Sequence, residues 1–372
     1  MTSVKKRITT AGEVRYDVRY RTPSGEERRE TFKRESDARR RRTDIDKAKD
    51  TGAYIDRSRA KVTVGISADD WITSKVNLAP KTKDRYQGII RAHIEPRWGN
   101  VPLNKVTHGD LQRWIAGIDA APATVRKIHR VMSQILAYAV ADDRLSRNPA
   151  ERLSLPRVRQ KEKRYLTHQQ VHQLANACGP EYRLVVLFLA YTGLRWGEMA
   201  ALRVRRIDFL RRRALIAESV TPIKGVMTFG PTKGHENREI PLPHFLLEEL
   251  SRHVAGKAHD DFVFTGERGA VMRSQTFQRA ALTRVAAALG IPGFIPKEFR
   301  DTAASLSIAS GADVKVIQQM LGHKSAILTL DLYGHLFGDR LDVVADAVDA
   351  ARTAALGDVS RMRHGAEVIE LR

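Results

Sequence analysis

Hydrophobic residues change their spacing twice along these 372 residues, and one core cannot accommodate all three patterns. From Val14 to Phe32 apolar and polar residues alternate around the break Pro23-Ser24-Gly25, which reads as a hairpin or small sheet. From Val64 to Pro149 the apolar positions recur at three and four, the spacing of helices. Beyond Thr167 the two patterns are mixed. A chain of this length buries two or three cores. The expected fold is multidomain and mainly α with small β-sheets: an N-terminal sheet-plus-helix module over 1–61, a four-helix domain over 62–155, a linker over 156–164, a mixed α/β domain over 165–338, and a tail over 339–372.

Local signals mark the elements. Ser36 is the expected cap of a helix reaching Lys49. In the second region Ser67 precedes Asp69 and Asp70 and marks a helix start, with Trp71 and Ile72 as core residues. A second helix follows Pro80 with Tyr86, Ile89, Ile90 and Ile94 on one face, Thr107 caps a third, and Val125, Ile128, Met132, Ile135, Leu136 and Ala139 stripe a fourth. Arg157 to Arg164 is an extended basic linker. Thr167 with Gln170 forms a capping box. Thereafter Leu184 to Tyr191 is an apolar run ending at Gly193. Ala214–Val220 and Glu239–Leu242 read as strands, and helices return over 274–289, 299–309 and 313–321.

Charge narrows the function. Lys and Arg number 64 against 43 Asp and Glu, a formal net charge of +21 distributed along the chain. Such a field suits a polyanion. No basic amphipathic anchor and no long apolar span accompanies it, so nucleic acid fits better than a membrane. The single cysteine, Cys178, excludes an intramolecular disulfide and argues against a Cys-based zinc site. With no signal peptide evident, a reducing cytoplasm is the expected location. Arg15, Arg19 and Arg21 share the polar face of the first strand, and Arg126, Lys127 and Arg130 lie off the apolar stripe of the fourth helix. Both groups are candidate DNA contacts, each with solvation as the plain alternative.

Three segments carry the chemistry: Thr192-Gly193-Leu194-Arg195-Trp196-Gly197-Glu198, then Lys297-Glu298-Phe299-Arg300, then Leu321-Gly322-His323 followed by Tyr333-Gly334-His335. A phosphodiester repels a nucleophile until the charge on its nonbridging oxygens is neutralised. Paired guanidiniums do this well, because each stays protonated and its planar fork matches two oxygens. Tyr333 then supplies a nucleophile. Singly, Arg195 reads as a helix-end cation, Lys233 as a hairpin surface lysine, His323 as a helix-cap residue and Tyr333 as a half-buried core tyrosine.

In this order and spacing the segments resemble the boxes of the tyrosine recombinases, the phage integrase family, over roughly Thr167 to Phe337. The four-helix region more loosely resembles that family's core-binding domain, and Val4 to Asp56 its arm-binding module. The resemblance implies a site-specific recombinase that cleaves and rejoins DNA through a 3′-phosphotyrosyl bond, without metal or cofactor. Arg195 and Arg300 would clamp the scissile phosphate. Lys233, in Pro231-Thr232-Lys233-Gly234, would protonate the 5′-hydroxyl leaving group, His323 would donate to a nonbridging oxygen, and Tyr333 would attack. Glu198 and His335 would support the site from behind. Implied partners are double-stranded attachment sites, three further copies of the chain in a tetramer, and a host DNA-bending or directionality factor, all in a bacterial cytoplasm at the nucleoid. The tail, with Val343, Val344, Ala347 and Val348 at helical spacing, would dock on a neighbouring protomer or on its own domain.

One departure stands out. The family usually has His-x-x-Arg followed by a second histidine, where this chain has Lys297 to Arg300 and then Asp301. Two rival readings follow: a DNA-binding relative that has lost the reaction, and a type IB topoisomerase.

Overall fold

The computed structural model describes residues 2–22, 25–50, 59–159, 163–234, 236–336 and 341–363, without the side chains of 60, 341–344 and 357–363. It opens with three antiparallel strands, β1 (Ser3–Ile8), β2 (Val14–Arg21) and β3 (Glu27–Phe32), in that order across the sheet. Alternation in β2 sends Tyr16, Val18 and Tyr20 to one face, where they pack with Ala38 and Ile45 of helix α1 (Glu35–Asp50). α1 starts one residue ahead of Ser36, which therefore lies in the first turn and is not the cap. β1 was not anticipated from the sequence. Lys5, Lys6 and Arg7 put charge on both parities, which hides the period of two in a basic edge strand.

The helices of the next region are α2 (Val64–Thr73), α3 (Pro80–Ile89) continued through a π turn into α4 (Glu95–Trp98), α5 (His108–Ala116) and α6 (Pro122–Ala141). α2 begins earlier than its acidic residues suggest: the Thr63 hydroxyl accepts from the Ile66 amide at 3.4 Å, and Ser67 is buried inside the helix. Val64 and Ala68 are also core residues, so the apolar stripe starts ahead of Ser67. Thr107 caps α5 as expected. The whole expected stripe of α6 is buried, and Trp71, Trp98, Leu111 and Ile115 belong to the same core region. These helices and the N-terminal sheet form one compact unit, Met1–Gln160.

The second unit, Lys161–Arg372, is built around a buried helix. α7 (His168–Ala177) opens with the Thr167–Gln170 capping box and packs on α8 (Pro180–Thr192), whose residues Leu184 to Ala190 are all buried. A helix apolar on every side belongs inside a core. After the short α9 (Trp196–Ala200) come β4 (Ile207–Asp208), β5 (Arg213–Ile216), β6 (Glu218–Ile223), β7 (Val226–Pro231) and β8 (Arg238–Pro241). One sheet has the order β4-β5-β8, and β6 pairs with β7 as a separate hairpin. The single strand expected over 214–220 thus divides at Ala217 between two sheets. β7 was hidden by its glycine and proline; its hairpin turns through Lys224 and Gly225, at φ 47° and 84°.

Helices complete the unit. α10 (His244–Val254) is followed by α11 (Ser274–Phe277), a π turn and α12 (Thr283–Ala288), where one helix was expected. α13 (Glu298–Ala309) packs on α8, α14 (Val314–Leu321) on β8 and α13, and α15 (Ala326–Tyr333) on α14. A 3₁₀ turn, Gly334–Leu336, precedes α16 (Leu341–Arg363). Among the described residues no helix is long and apolar enough to cross a membrane.

Candidate active site

Two glycines end helices where Arg300 needs acceptors. Gly193 closes α8 and Gly322 closes α14, both left-handed, at φ 66° and 62°. A Cβ on Gly193 would come within 2.7 Å of Leu321 Cδ2, so the two helix ends meet closely. The Arg300 guanidinium, only 8% exposed, donates Nη1–H to Gly193 O at 2.8 Å and Nη2–H to Leu321 O. Carboxyl ends of helices carry partial negative charge, which favours a buried cation there. Burial above all, and then the charge of Arg195, pushes the Arg300 pKa down to about 10, so it stays charged at neutral pH.

Arg195 is the residue before α9, and the carboxylate of Glu198 in the first turn accepts its backbone N–H at 3.0 Å and its Nη1–H at 2.7 Å. Glu198 is itself buried, and its Oε2, which takes the Arg195 backbone N–H, also accepts from Arg238 Nη2 of β8 at 2.6 Å. Arg238 also donates Nε–H to Met320 O at 3.0 Å. A buried carboxylate thus ties two arginines from different elements to one place, while Arg195 keeps a solvent-facing side.

His323 follows Gly322, with its amide donating to Gln318 O at 3.0 Å and its Nδ1 2.9 Å from Thr329 Oγ1. Burial, then the charges of Arg300, Arg195, Arg238 and Lys163, pushes its pKa down to about 4. At neutral pH the ring is uncharged. It lies nearly parallel to the Tyr333 ring, with planes 6° apart and centroids separated by 6.4 Å.

Tyr333 ends α15 and is 1% exposed. Its hydroxyl donates to Asp301 Oδ1 at 2.7 Å, and Lys163 Nζ lies 4.4 Å from the ring centroid while donating to Leu332 O at 2.6 Å. Burial, and then the hydrogen bond to Asp301, pushes the phenol pKa well up. His335 Nε2 lies 3.1 Å from the Tyr165 hydroxyl, beside the cluster.

The structure therefore brings Arg195, Glu198, Arg300, His323 and Tyr333 together. Lys297 is exposed at the start of α13, close enough that its charge adds to burial in lowering the Lys163 pKa. Lys233 is exposed on the turn after β7, and among the described residues no hydrogen bond or ion pair joins it to the cluster. Sequence reasoning missed Arg238, Asp301 and Lys163. Arg238 starts a strand that was recognised, and Asp301 stands where the family's second histidine was expected, so only Lys163 gave no signal beyond its basic neighbourhood.

The candidate DNA contacts belong to the first unit. Lys127 and Arg130 are exposed on α6; Arg126 is exposed too and donates Nε–H to Pro156 O at 2.8 Å, bracing the start of the linker. On the N-terminal sheet, strand register places Arg7 opposite Arg15 and Arg19 opposite Arg29, all on the face turned away from α1 with Arg21. Arg15 is paired with Glu13, whereas Arg19 and Arg21 are exposed. Buried Asp17 lies in the same face, accepting from Thr31 at 2.7 Å with Arg7 at 3.3 Å and Arg29 at 4.0 Å.

An arginine pair converging on a buried tyrosine is the arrangement expected of an enzyme that works on phosphodiesters through tyrosine chemistry. Residues 164–339 match the phage integrase family, and residues 66–155 match the phage integrase central domain. The chain belongs to the phage integrase family of tyrosine recombinases. Among its relatives, the integrase of Mycobacterium phage D29 is 26% identical over 271 residues, which span 70% of this chain and 72% of that protein. Among solved structures, the Tn1549 transposon integrase in complex with circular intermediate DNA superposes with a TM-score of 0.65 at 20% identity, covering 73% of this chain and 95% of that one. A lambda integrase tetramer bound to a Holliday junction gives a TM-score of 0.56 at 19% identity, covering 86% and 96%.

Proposed function

We propose that the protein is a site-specific DNA recombinase that integrates or excises phage or mobile-element DNA through a 3′-phosphotyrosyl intermediate. The observation that carries this reading is the meeting of Arg195, Arg300, His323 and Tyr333, drawn from three separated segments. Arg195 and Arg300 clamp the scissile phosphate, and Glu198 with Arg238 holds Arg195 in place. With the Thr329 hydroxyl donating to Nδ1, the neutral His323 ring keeps its proton on Nε2 and offers it to a nonbridging oxygen. Tyr333 attacks phosphorus, and Lys233, carried on an exposed turn that can close on bound DNA, protonates the departing 5′ oxygen. Lys297 adds a donor to the phosphate. His335 supports the site through Tyr165. The covalent bond to Tyr333 conserves the energy of the broken one, so rejoining needs neither ATP nor a cofactor.

Double-stranded attachment DNA is the partner. Arg126, Lys127 and Arg130 contact core-site phosphates, and the arginine face of the N-terminal sheet, with Arg15, Arg19 and Arg21, reads separate arm sites. The active assembly is a tetramer, with a host DNA-bending or directionality factor assisting in the bacterial cytoplasm. α16 supports protomer exchange: Ala347, Val348 and Leu356 are exposed on it. The side chains of Val343 and Val344 lie outside the described residues.

Covalent trapping on a nicked suicide duplex tests the reading. The parent should form a protein–DNA adduct and Tyr333→Phe none, with DNA binding retained. Arg195→Ala should slow adduct formation by about 10²–10³-fold, the usual cost of one preorganised donor. Adduct formation by the phenylalanine variant at the parental rate would remove Tyr333 from its role.

A further inference from the structure

We propose that Asp301 is the proton acceptor for Tyr333, a catalytic residue of this chain that rests on the reading of Tyr333 as nucleophile. Its Oδ1 lies 2.7 Å from the phenolic oxygen. A hydroxyl whose hydrogen points at a carboxylate keeps its lone pairs turned elsewhere, available to phosphorus. α13 places Arg300 and Asp301 side by side, so one helix sets both the phosphate clamp and the acceptor.

A buried phenol meets its substrate protonated at neutral pH, because burial and the hydrogen bond to Asp301 both disfavour the phenolate. Its proton must therefore leave as the new bond forms. The surrounding groups leave one acceptor in position. Arg300, Arg195 and Arg238 have no lone pair to offer. Lys163 lies over the ring face and turns its Nζ–H to Leu332 O. His323 lies parallel to the ring with centroids 6.4 Å apart, has no hydrogen bond to the hydroxyl among the described residues, and its Nδ1 is engaged by Thr329. Tyr165 faces His335, and Lys297 is exposed. Asp301 alone among these is hydrogen-bonded to the reacting oxygen.

In the cleavage step the Tyr333 O–H bond breaks and the proton passes to Asp301 Oδ1. An electron pair of the phenolic oxygen forms the bond to phosphorus. The P–O5′ bond breaks, its electron pair stays on the 5′ oxygen, and Lys233 supplies that oxygen's proton. Rejoining reverses each transfer, so Asp301 returns the proton to the released tyrosine. No oxidant, reductant or further reactant enters.

The full-length chain is tested in single-turnover adduct formation on a nicked duplex built on the core site flanking the gene. A second duplex carries a 5′-bridging sulfur, whose thiolate leaves without protonation. Asp301→Asn should slow adduct formation on both substrates by about 100-fold at pH 7. Lys233→Ala should be slowed on the oxygen substrate alone. On the sulfur substrate the parental rate should be flat between about pH 6 and 9, as His323 is already neutral there, while the asparagine variant should rise roughly tenfold per pH unit as phenolate accumulates. Lys163, its pKa lowered by burial and by Lys297 and raised by Asp301, is the other titratable group against the Tyr333 ring, so Asp301→Asn is repeated with Lys163→Arg and the slope should persist.

An asparagine variant at the parental rate on both substrates, or one cured by the sulfur leaving group, overturns the assignment. Should that variant fail to bind DNA, Asp301→His decides: an imidazole acceptor should make the rate fall below about pH 6.5, and a parental profile would sink the idea. If the parent itself forms no adduct on either substrate, the recombinase reading fails and takes this one with it.

Discussion

Glu198 holds a negative charge where almost no solvent reaches it, and it does so because two guanidiniums flank it. Burial pushes its pKa up; the hydrogen bond and charge of Arg238, with the charge of Arg195, outweigh that and hold it below the ordinary carboxylate range. A carboxyl with a lowered folded pKa stabilises the fold above its unfolded value of about 4.3 and loses that contribution as pH falls through the folded value. Glu198→Gln should therefore destabilise the protein by roughly 3 kcal/mol at pH 7, leaving two cations without their anion. The gap between variant and parent should narrow below about pH 4. Denaturant midpoints at both pH values check this, and coincident midpoints at pH 7 would show the pair contributes nothing. Lys297 raises a different question, since an ammonium replaces the family's usual imidazole. Lys297→Ala should lower the cleavage rate, and Lys297→His should keep substantial activity with a new pH dependence between about pH 5.5 and 7.5. An alanine variant as fast as the parent at every pH would reduce Lys297 to a surface lysine.

At the scale of elements, the site depends on where helices stop. α14 ends at Gly322 so that Leu321 O can reach Arg300 and Met320 O can reach Arg238. A Cβ on Gly322 would lie 3.0 Å from Cδ and Nε of Arg238, a side chain already held by Glu198. Gly322→Ala should thus cost about 1–2 kcal/mol from the left-handed backbone alone. The midpoint of urea unfolding should fall with an unchanged slope, and cleavage should drop because the Arg300 acceptor shifts. An alanine variant as stable and as fast as the parent would mean the cap is dispensable. The helices that were legible carry their own signals: Thr107 and Thr167 as caps, a buried stripe on α6, Gly193 and Gly322 as ends; α10 and α15 were not anticipated. The strands were less so. β5 and β6 run on in sequence but belong to different sheets, and pairing is decided by partners far along the chain.

At the scale of the whole molecule, net charge and separate cores set what DNA binding should look like. With a net charge of +21, phosphate contacts should supply most of the affinity, so binding should weaken steeply as salt rises. The N-terminal sheet has its own small core with α1, separate from the core of the α2–α6 region. Deleting residues through Lys61 should therefore leave cleavage of an isolated core site intact while abolishing binding to distal arm DNA and productive integration. Gel shifts on core and distal segments, with recombination of full attachment DNA, provide the measurement. Unchanged recombination would leave the arginine face of the sheet without the role assigned to it.

Sequence by itself determined the parts whose physics is local. Helix caps, apolar stripes and glycine ends act over three or four residues, and the order of the arginine, histidine and tyrosine segments was enough to point to the family. Tertiary structure alone decided which side chains meet. Arg238 reaches Glu198 across 40 positions, Tyr333 reaches Asp301 across 32, and Lys163 reaches Leu332 across 169. Such pairings depend on the packing of α8, α13 and α14, and no spacing along the chain encodes a distance through space. The same reason separates Lys233 and Lys297, placed by motif alone, from Asp301, which the sequence marked only as a departure from the family's second box and whose carboxylate accepts the Tyr333 hydroxyl hydrogen.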